Sequence, residues 1–379
     1  MNPIGNTLAD SIFTQRQQSL AAALTNSNLY GLILNPGPSL IYLTGLHFHL
    51  SERPVLVFFT TQSIPAIVLP ELELEKIKNL PYRIQAFPYD EDSTKWGQAF
   101  LSAAATTLIG KKRIGMEPRQ LRMLEYHLVS DAAPEAKFVS AEDTISILRM
   151  YKDASEISLM RDAVNIAQRA LEETLPAVKF GMTERELSSE LSLQLLKAGC
   201  DPELPFAPIV SSGPNGANPH ATPSDRKLTP GDLLVIDWGA SYMGYFSDIT
   251  RTFSLGNIEP ELTSISQIVF DANEVGRSTA VPGISAEKVD LATRSVIESA
   301  GYGEYFTHRT GHGLGMEAHE HPYIRSGNLE LLEPGMTFTI EPGIYLPGRN
   351  GVRIEDDIVI THSGAESLTN FPREVRQLI

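Results

Sequence analysis

Residues 179–200, KFGMTERELSSELSLQLLKAGC, return in altered form as residues 281–302, VPGISAEKVDLATRSVIESAGY. Each copy has a glycine, a Thr or Ser suited to cap a helix, a Glu shortly after it, an amphipathic stretch and an Ala-Gly stop. Each is followed about fifty residues later by a second repeated unit, LTPGDLLVIDWG in the first case and LEPGMTFTIEPG in the second. Gly181 to Gly231 is 50 residues and Gly283 to Gly335 is 52. Solenoids use periods of about 20–50 residues and three or more copies. Two copies 102 residues apart, Gly181 against Gly283, instead predict one pseudo-twofold domain whose matching faces meet at a central site.

The repeat places an acid at the end of each apolar strand: Asp237 six residues after Gly231, and Glu341 six residues after Gly335. A carboxylate there is costly unless something pairs with it. Strand alternation puts Thr337, Thr339 and Glu341 on one face of TFTIE and Phe338 and Ile340 on the other. By the same rule Phe246, Asp248, Thr250 and Thr252 share a face of FSDITRT, and Arg353 and Glu355 fall together in VRIED with Ile354 opposite. Polar faces on strands this apolar predict the lining of a cavity. Any one of these acids could equally be a solvated edge, a cap or a structural ion pair.

The histidines alter that balance. HRTGHGLGMEAHEHP carries His308, His312, His319 and His321, four of the nine in the chain, among glycines that allow close backbone approach. His220 precedes the first acid-tipped strand, in GPNGANPHATP. GHGLG lacks the strand–loop–helix setting of a nucleotide loop, and the histidines of HEHP are not four apart as a zincin requires. Asp237, Asp248, Glu341 and Glu355 in one cavity would raise one another's pKa unless cations compensate. Two divalent ions would neutralise all four. Hard oxygen donors with one imidazole favour Mn, Fe or Co over a structural zinc.

The remaining 140 or so residues at the front alternate short strands and helices: TQRQQSLAAAL as a helix, YGLILN and LIYLTG as strands about PGPS, then PVLVFF and PAIVLP as strands. They form an α/β domain without a defensible catalytic cluster. Residues 141–175 read as long helical periodicity, and the domain boundary is placed near 140: an N-terminal domain over 1–140 and a second over 141–379. Composition excludes other classes. A net charge of −15 argues against nucleic acid or an anionic membrane as partner. No apolar run is long enough to span a bilayer, and the first twenty residues lack the pattern of a signal peptide. A single cysteine, Cys200, excludes an internal disulfide, suits a reducing cytoplasm and reads as a small buried hydrophobe.

The ordered set IDWGA, SDITRT, HRTGHGLG with HEHP, TIEPGIY and GVRIED resembles the aminopeptidase P/prolidase family of metallopeptidases. The resemblance runs from about residue 150 to the end, and the front third is similar to the accessory creatinase-like α/β domain of the same proteins. It implies an α/β (α+β) fold whose second domain is a pseudo-twofold pita-bread. It also implies two divalent metal ions, manganese foremost with cobalt, iron or zinc as alternatives, held by Asp237, Asp248, His312, Glu341 and Glu355. The substrate and transition-state histidines of the family fall on His220, His308 and His319, and its arginine on Arg353; His321 receives no role. The implied reaction is hydrolysis of an Xaa-Pro bond at a free N-terminus. A metal-activated hydroxide attacks, Glu341 takes the proton, His319 and His220 stabilise the oxyanion, and Arg353 orients carboxylates. A homodimer is the implied assembly. A small-molecule hydrolase or lyase on the same fold and a metal-free peptide-binding module are the rival readings, though the latter would have lost ligands that this chain retains.

Overall fold

The computed structural model describes residues 11–379, so the reading of a missing leader at the extreme N-terminus lies partly outside the described residues. The chain divides into two compact units, one through Arg149 and one from Met150 to Ile379.

The first unit is a mixed six-stranded sheet with helices. Its elements are α1 (Ile12–Asn26), β1 (Gly31–Leu34), α2 (Pro38–Thr44), β2 (Leu56–Thr60), β3 (Ala66–Pro70), β4 (Gln85–Tyr89), α3 (Trp96–Thr106), β5 (Arg113–Met116), α4 (Met123–Ala132), β6 (Lys137–Ser140) and α5 (Glu142–Met150). The sheet order is β4-β3-β2-β1-β5-β6. Strands β1, β2 and β3 are buried at every position, which is why their sequences read as continuous apolar runs.

One expectation fails here: LIYLTG is not a strand but most of α2. Pro38 occupies the first turn, where its missing N–H costs nothing, and Gly45 closes the helix in the left-handed conformation at φ 69°. Ser39, Leu40, Tyr42, Leu43 and Thr44 are all buried. A helix buried on several sides lacks the polar face that would have revealed its period. The helical stretch predicted over 141–175 is also broken. Asp153 accepts from the Ser155 and Glu156 amides, and Glu156 answers to the Asp153 amide. This capping box starts a new helix three residues after α5 stops.

The second unit has α6 (Ala154–Thr174), α7 (Glu184–Ala198), β7 (Ile209–Ser212), β8 (Leu233–Trp238), β9 (Ser241–Tyr242), β10 (Tyr245–Phe246), β11 (Ile249–Ser254), α8 (Pro260–Thr279), α9 (Ala286–Ser299), β12 (Gly311–Gly313), β13 (Glu320–Ile324), β14 (Thr337–Ile340), β15 (Gly343–Leu346), β16 (Asn350–Arg353), β17 (Asp356–Thr361), β18 (Gly364–Ser367) and β19 (Arg376–Gln377). The two larger sheets run β19-β11-β8-β7 and β13-β12-β14-β17-β18. The sequence repeat is a structural one. Thr183 and Ser285 are the N-cap residues of α7 and α9, and each helix is followed by a glycine with positive φ, Gly199 and Gly301. Gly231 (φ 89°) and Gly335 (φ 93°) turn the chain into β8 and β14 in a conformation that disfavours a side chain.

Strand β8 pairs antiparallel with β11, and β14 pairs antiparallel with β17. In each pair the outgoing strand carries an acid within one residue of its end, Asp237 before Trp238 and Glu341 after Ile340, and the returning strand begins just after another, Asp248 or Glu355. An isolated bridge between Thr250 and Glu355 joins the two halves. Burial of Leu233, Ile265, Val269, Val352 and Ile354 in one cluster, and of Phe338, Ile340, Ile358 and Ile360 in another, supports the strands that carry the acids. Each such side chain contributes about 1.5–3 kcal/mol on burial.

Candidate active site

A cavity of about 530 Å³ opens at the acid-bearing ends of the two strand pairs. It is lined by Asp237, Asp248, Glu341, Glu355, His220, His308, His312, His319 and Arg353, together with Arg309 and the apolar Phe206, Ala207, Ile209, Pro219 and Ala318. Every residue singled out from sequence for a ligand or substrate role therefore faces one space, and His321 does not line it. Thr337 and Thr339, expected on the lining face, are turned to another use. Thr339 Oγ1 accepts from the His312 amide and Thr337 Oγ1 donates to the Leu314 carbonyl, so their face fastens the histidine segment.

His312 is buried, with only 3% of its surface exposed. Its Nδ1 lies 3.2 Å from the Gly313 carbonyl, which can only accept, so Nδ1 carries the proton and the Nε2 lone pair is free. Nε2 lies 3.4 Å from Glu341 Oε1 and 3.6 Å from Asp248 Oδ2. Ligand atoms of Asp248, His312 and Glu355 all lie within 4.8 Å of one another. Gly311 makes this approach feasible, because a Cβ there would sit 1.8 Å from the Thr339 carbonyl oxygen.

Burial and mutual repulsion govern the acids. Asp248 and Glu341 are held well above the carboxylate range, first by burial and then by neighbouring carboxylates, Glu355 foremost. Burial, then Asp237, pushes Glu355 up to about 8. Asp237 is also raised by burial, although Arg353 Nη2 donates to its Oδ2 at 2.6 Å and opposes the shift. Desolvation outweighs the guanidinium. Asp237 Oδ1 is buried and has no hydrogen-bond partner among the described residues. An orphaned oxygen, four crowded acids and one imidazole with an open lone pair fit a divalent cation site. Glu341 leaves 15% of its side chain exposed.

Arg353 is largely spent within the protein. Nε donates to Thr250 Oγ1, Nη1 to the Pro219 carbonyl and Tyr345 Oη, and Nη2 to Asp237. His308 uses both nitrogens as well: Nδ1 donates to the Arg309 carbonyl, and Nε2 accepts from Tyr345 Oη at 2.8 Å. Burial lowers the His308 pKa to about 3, so the ring is neutral. Tyr345 escaped the sequence reading, although it closes the quoted TIEPGIY; burial raises its pKa to about 12. Asp357 escaped it too. It is fully buried behind the site and accepts from the Asp248 amide, fixing that backbone. Arg309, beside His308, also went unassigned.

The Metallopeptidase family M24 domain matches residues 158–362, and the Creatinase/Prolidase N-terminal domain matches residues 16–151. The chain belongs to metallopeptidase family M24. Its M24 domain has the pita-bread fold, preceded by a creatinase-type α/β domain. Solved structures of similar proteins superpose over nearly the whole chain. A dipeptidase from Pyrococcus horikoshii OT3 is 38% identical, with a TM-score of 0.90 over 96% of this chain and 99% of that one. A prolidase from Thermococcus sibiricus is 34% identical, with a TM-score of 0.91 over 97% and 100%. An Xaa-Pro dipeptidase from Bacillus anthracis is 32% identical, with a TM-score of 0.87 over 96% and 99%. Among the described residues of this M24 chain, no helix is long and apolar enough to cross a membrane.

Proposed function

We propose that this protein is a metal-dependent dipeptidase that hydrolyses the bond between an N-terminal residue and proline. The observation that carries the reading is the set of four acids that line one cavity with the open Nε2 of His312, at the meeting point of two matched strand pairs. The solved relatives, a prolidase and an Xaa-Pro dipeptidase among them, support the substrate class.

On this reading Asp237, Asp248, His312, Glu341 and Glu355 hold two divalent ions, with manganese favoured by the hard oxygen donors. When bound, the ions supply Lewis-acid activation of water and of the scissile carbonyl. Glu341 accepts the proton of the attacking water at a carboxylate oxygen and returns it to the departing proline nitrogen. His220 and His319, the exposed imidazoles of the lining, donate hydrogen bonds to the developing oxyanion. An Xaa-Pro bond has no N–H to recognise, so selection falls to shape. Phe206, Ile209 and Pro219 offer the apolar wall for the proline ring. Neutral His308, tied to Tyr345 and through it to Arg353, keeps that side of the cavity rigid.

Release of the N-terminal residue from Xaa-Pro dipeptides, from Xaa-Ala dipeptides and from longer peptides that begin Xaa-Pro, with and without chelation, tests the proposal. The expected result is chelator-sensitive cleavage of the Xaa-Pro dipeptides in preference to the others. Full activity after complete metal removal, or equal cleavage of Xaa-Ala, would overturn it.

A further inference from the structure

The M24 unit holds another buried ion pair beside the cavity. Lys152 and Glu320 leave only 2% and 9% of their side chains exposed, and Lys152 Nζ donates to Glu320 Oε1. Desolvation offsets most of the attraction in such a pair, so a buried pair is weak evidence of added stability. Its place in the chain suggests another use, because Glu320 directly follows His319.

His319 is exposed, and its imidazole makes no hydrogen bond with any described residue. Its one ring contact is edge-on to His312, with centroids 4.1 Å apart. The side chain does not fix itself, so the backbone must. Glu320 opens β13 and pairs with Gly313. Residues 315–319 form a bend that ends where Glu320 enters β13, so fastening the Glu320 side chain inward fixes the end of that bend and with it the place of His319 on the cavity wall.

Lys152 is a firm anchor. Its amide donates to the Gly335 carbonyl at the turn into the strand that ends at Glu341. The loop ahead of His319 also closes over the pair. A Cβ on Gly315 would lie 2.4 Å from Glu320 Oε1 and 2.9 Å from Lys152 Cε. The Gly315 carbonyl accepts from the Phe246 amide, two residues before Asp248. The ion pair thus ties the His319 loop to the segment that leads to Glu341, and the Gly315 carbonyl ties the same loop to the segment that leads to Asp248.

We propose that Lys152 and Glu320 are a positioning pair that holds the 315–320 loop with the His319 imidazole facing the acid cluster. The proposal rests on the peptidase reading for its kinetic consequence only.

The test is the full-length double variant Lys152→Met/Glu320→Met, which removes both buried charges while keeping similar volume. Turnover of an Xaa-Pro dipeptide should fall about tenfold to a hundredfold, the usual effect of a misplaced group. KM should stay within about twofold, with metal content unchanged. His319→Ala added to this background should cost less than about threefold more, because both changes remove one contribution. A separate arm uses metal-free protein with labelled histidine. The His319 NMR signal, assigned by its loss in His319→Ala, should shift or broaden in the double variant. Lys152→Gln/Glu320→Gln, which removes both charges and keeps a hydrogen bond between the two side chains, should show the same effects in milder form and serves if the Met pair does not fold. Wild-type turnover with an unmoved His319 signal would overturn the proposal. So would full multiplication of the His319→Ala effect, or a turnover loss that only follows metal loss. If the wild-type protein cleaves no Xaa-Pro peptide, the peptidase reading fails while the NMR arm still decides the positioning role.

Discussion

Glu341 is the least covered acid of the cluster and also lies 3.4 Å from His312 Nε2, so one side chain is placed for both ligation and proton transfer. Glu341→Gln keeps the size and a coordinating oxygen but removes the charge and the basic site. Turnover should fall about 10²–10⁴-fold, more than any accompanying loss of bound metal measured by atomic spectroscopy. Near-normal turnover would make the acid structural. His312→Ala should chiefly release metal, and His319→Ala should lower turnover with metal retained. The acids also set a pH dependence. Glu355 titrates at about 8 in the metal-free fold against an ordinary 4.5, so the folded state holds its proton more tightly than the unfolded chain. That stabilisation is fully present below about 4.5 and lost as pH rises through 8. Asp248 and Glu341 shift in the same direction. His308, lowered to about 3, acts oppositely, but only as pH falls below its ordinary 6.5. Between pH 6.5 and 8 the acids therefore decide. The Tm of the metal-free protein should drop across that window, and added Mn²⁺, replacing the protons, should raise Tm more at pH 8 than at 6.5. A metal-free Tm that climbs from pH 6.5 to 8 would contradict this.

At the scale of elements, α7 does more than fill one half of the pseudo-twofold. Glu184, in its first turn, is fully buried, and its two oxygens accept from the Ser212 and Ser224 amides and hydroxyls and from Asn215 Nδ2. Those residues bracket the connection between β7 and β8 that carries His220. The helix N-terminus favours the negative charge, and the hydrogen bonds offset its desolvation. Glu184→Ala strands several buried donors at about 1–3 kcal/mol each, so a large fall in Tm is expected. KM for an Xaa-Pro dipeptide should rise with metal content preserved, since the loosened segment bears no ligand. In the other half, Asp290 on α9 accepts from the Thr310 amide, and Arg294 holds the His308 carbonyl. The two anchoring acids are not equivalent positions of the repeat: Glu184 lies three residues after Gly181, and Asp290 seven after Gly283. Gly311→Ala should separate β12 from β14 and thereby abolish tight metal binding, measurable by calorimetry, without touching a ligand.

At the scale of the whole molecule, metal occupancy and folding should be separable. The M24 unit has two apolar clusters of its own and is far larger than a domain that needs an ion to fold. Chelation should abolish activity reversibly while far-UV circular dichroism changes little. Thermal stability should fall only by the linkage term, about 2.7 kcal/mol if the ion had been present at 100 times its Kd. Loss of helical signal on chelation would mean that the ions hold the halves together.

The sequence by itself determined the pseudo-twofold, because matched glycine turns and acid-tipped strands are local patterns that recur at a readable spacing. Strand alternation also put Asp248, Glu341 and Glu355 on polar faces without knowledge of the partner strand, whereas the histidines were legible from their clustering among glycines and from the family resemblance. Tertiary structure alone decided the rest. LIYLTG became a helix because surroundings on several sides erased its period. Thr337 and Thr339 turned from the cavity to the His312 backbone because β12 pairs there across more than twenty residues of chain. Arg353 was readable as a cavity arginine, but its engagement by Thr250, Pro219, Tyr345 and Asp237 depends on partners up to 134 residues away. Tyr345 and Asp357 gained their places from hydrogen bonds to such distant groups, His308 and the Asp248 amide, which no local pattern encodes.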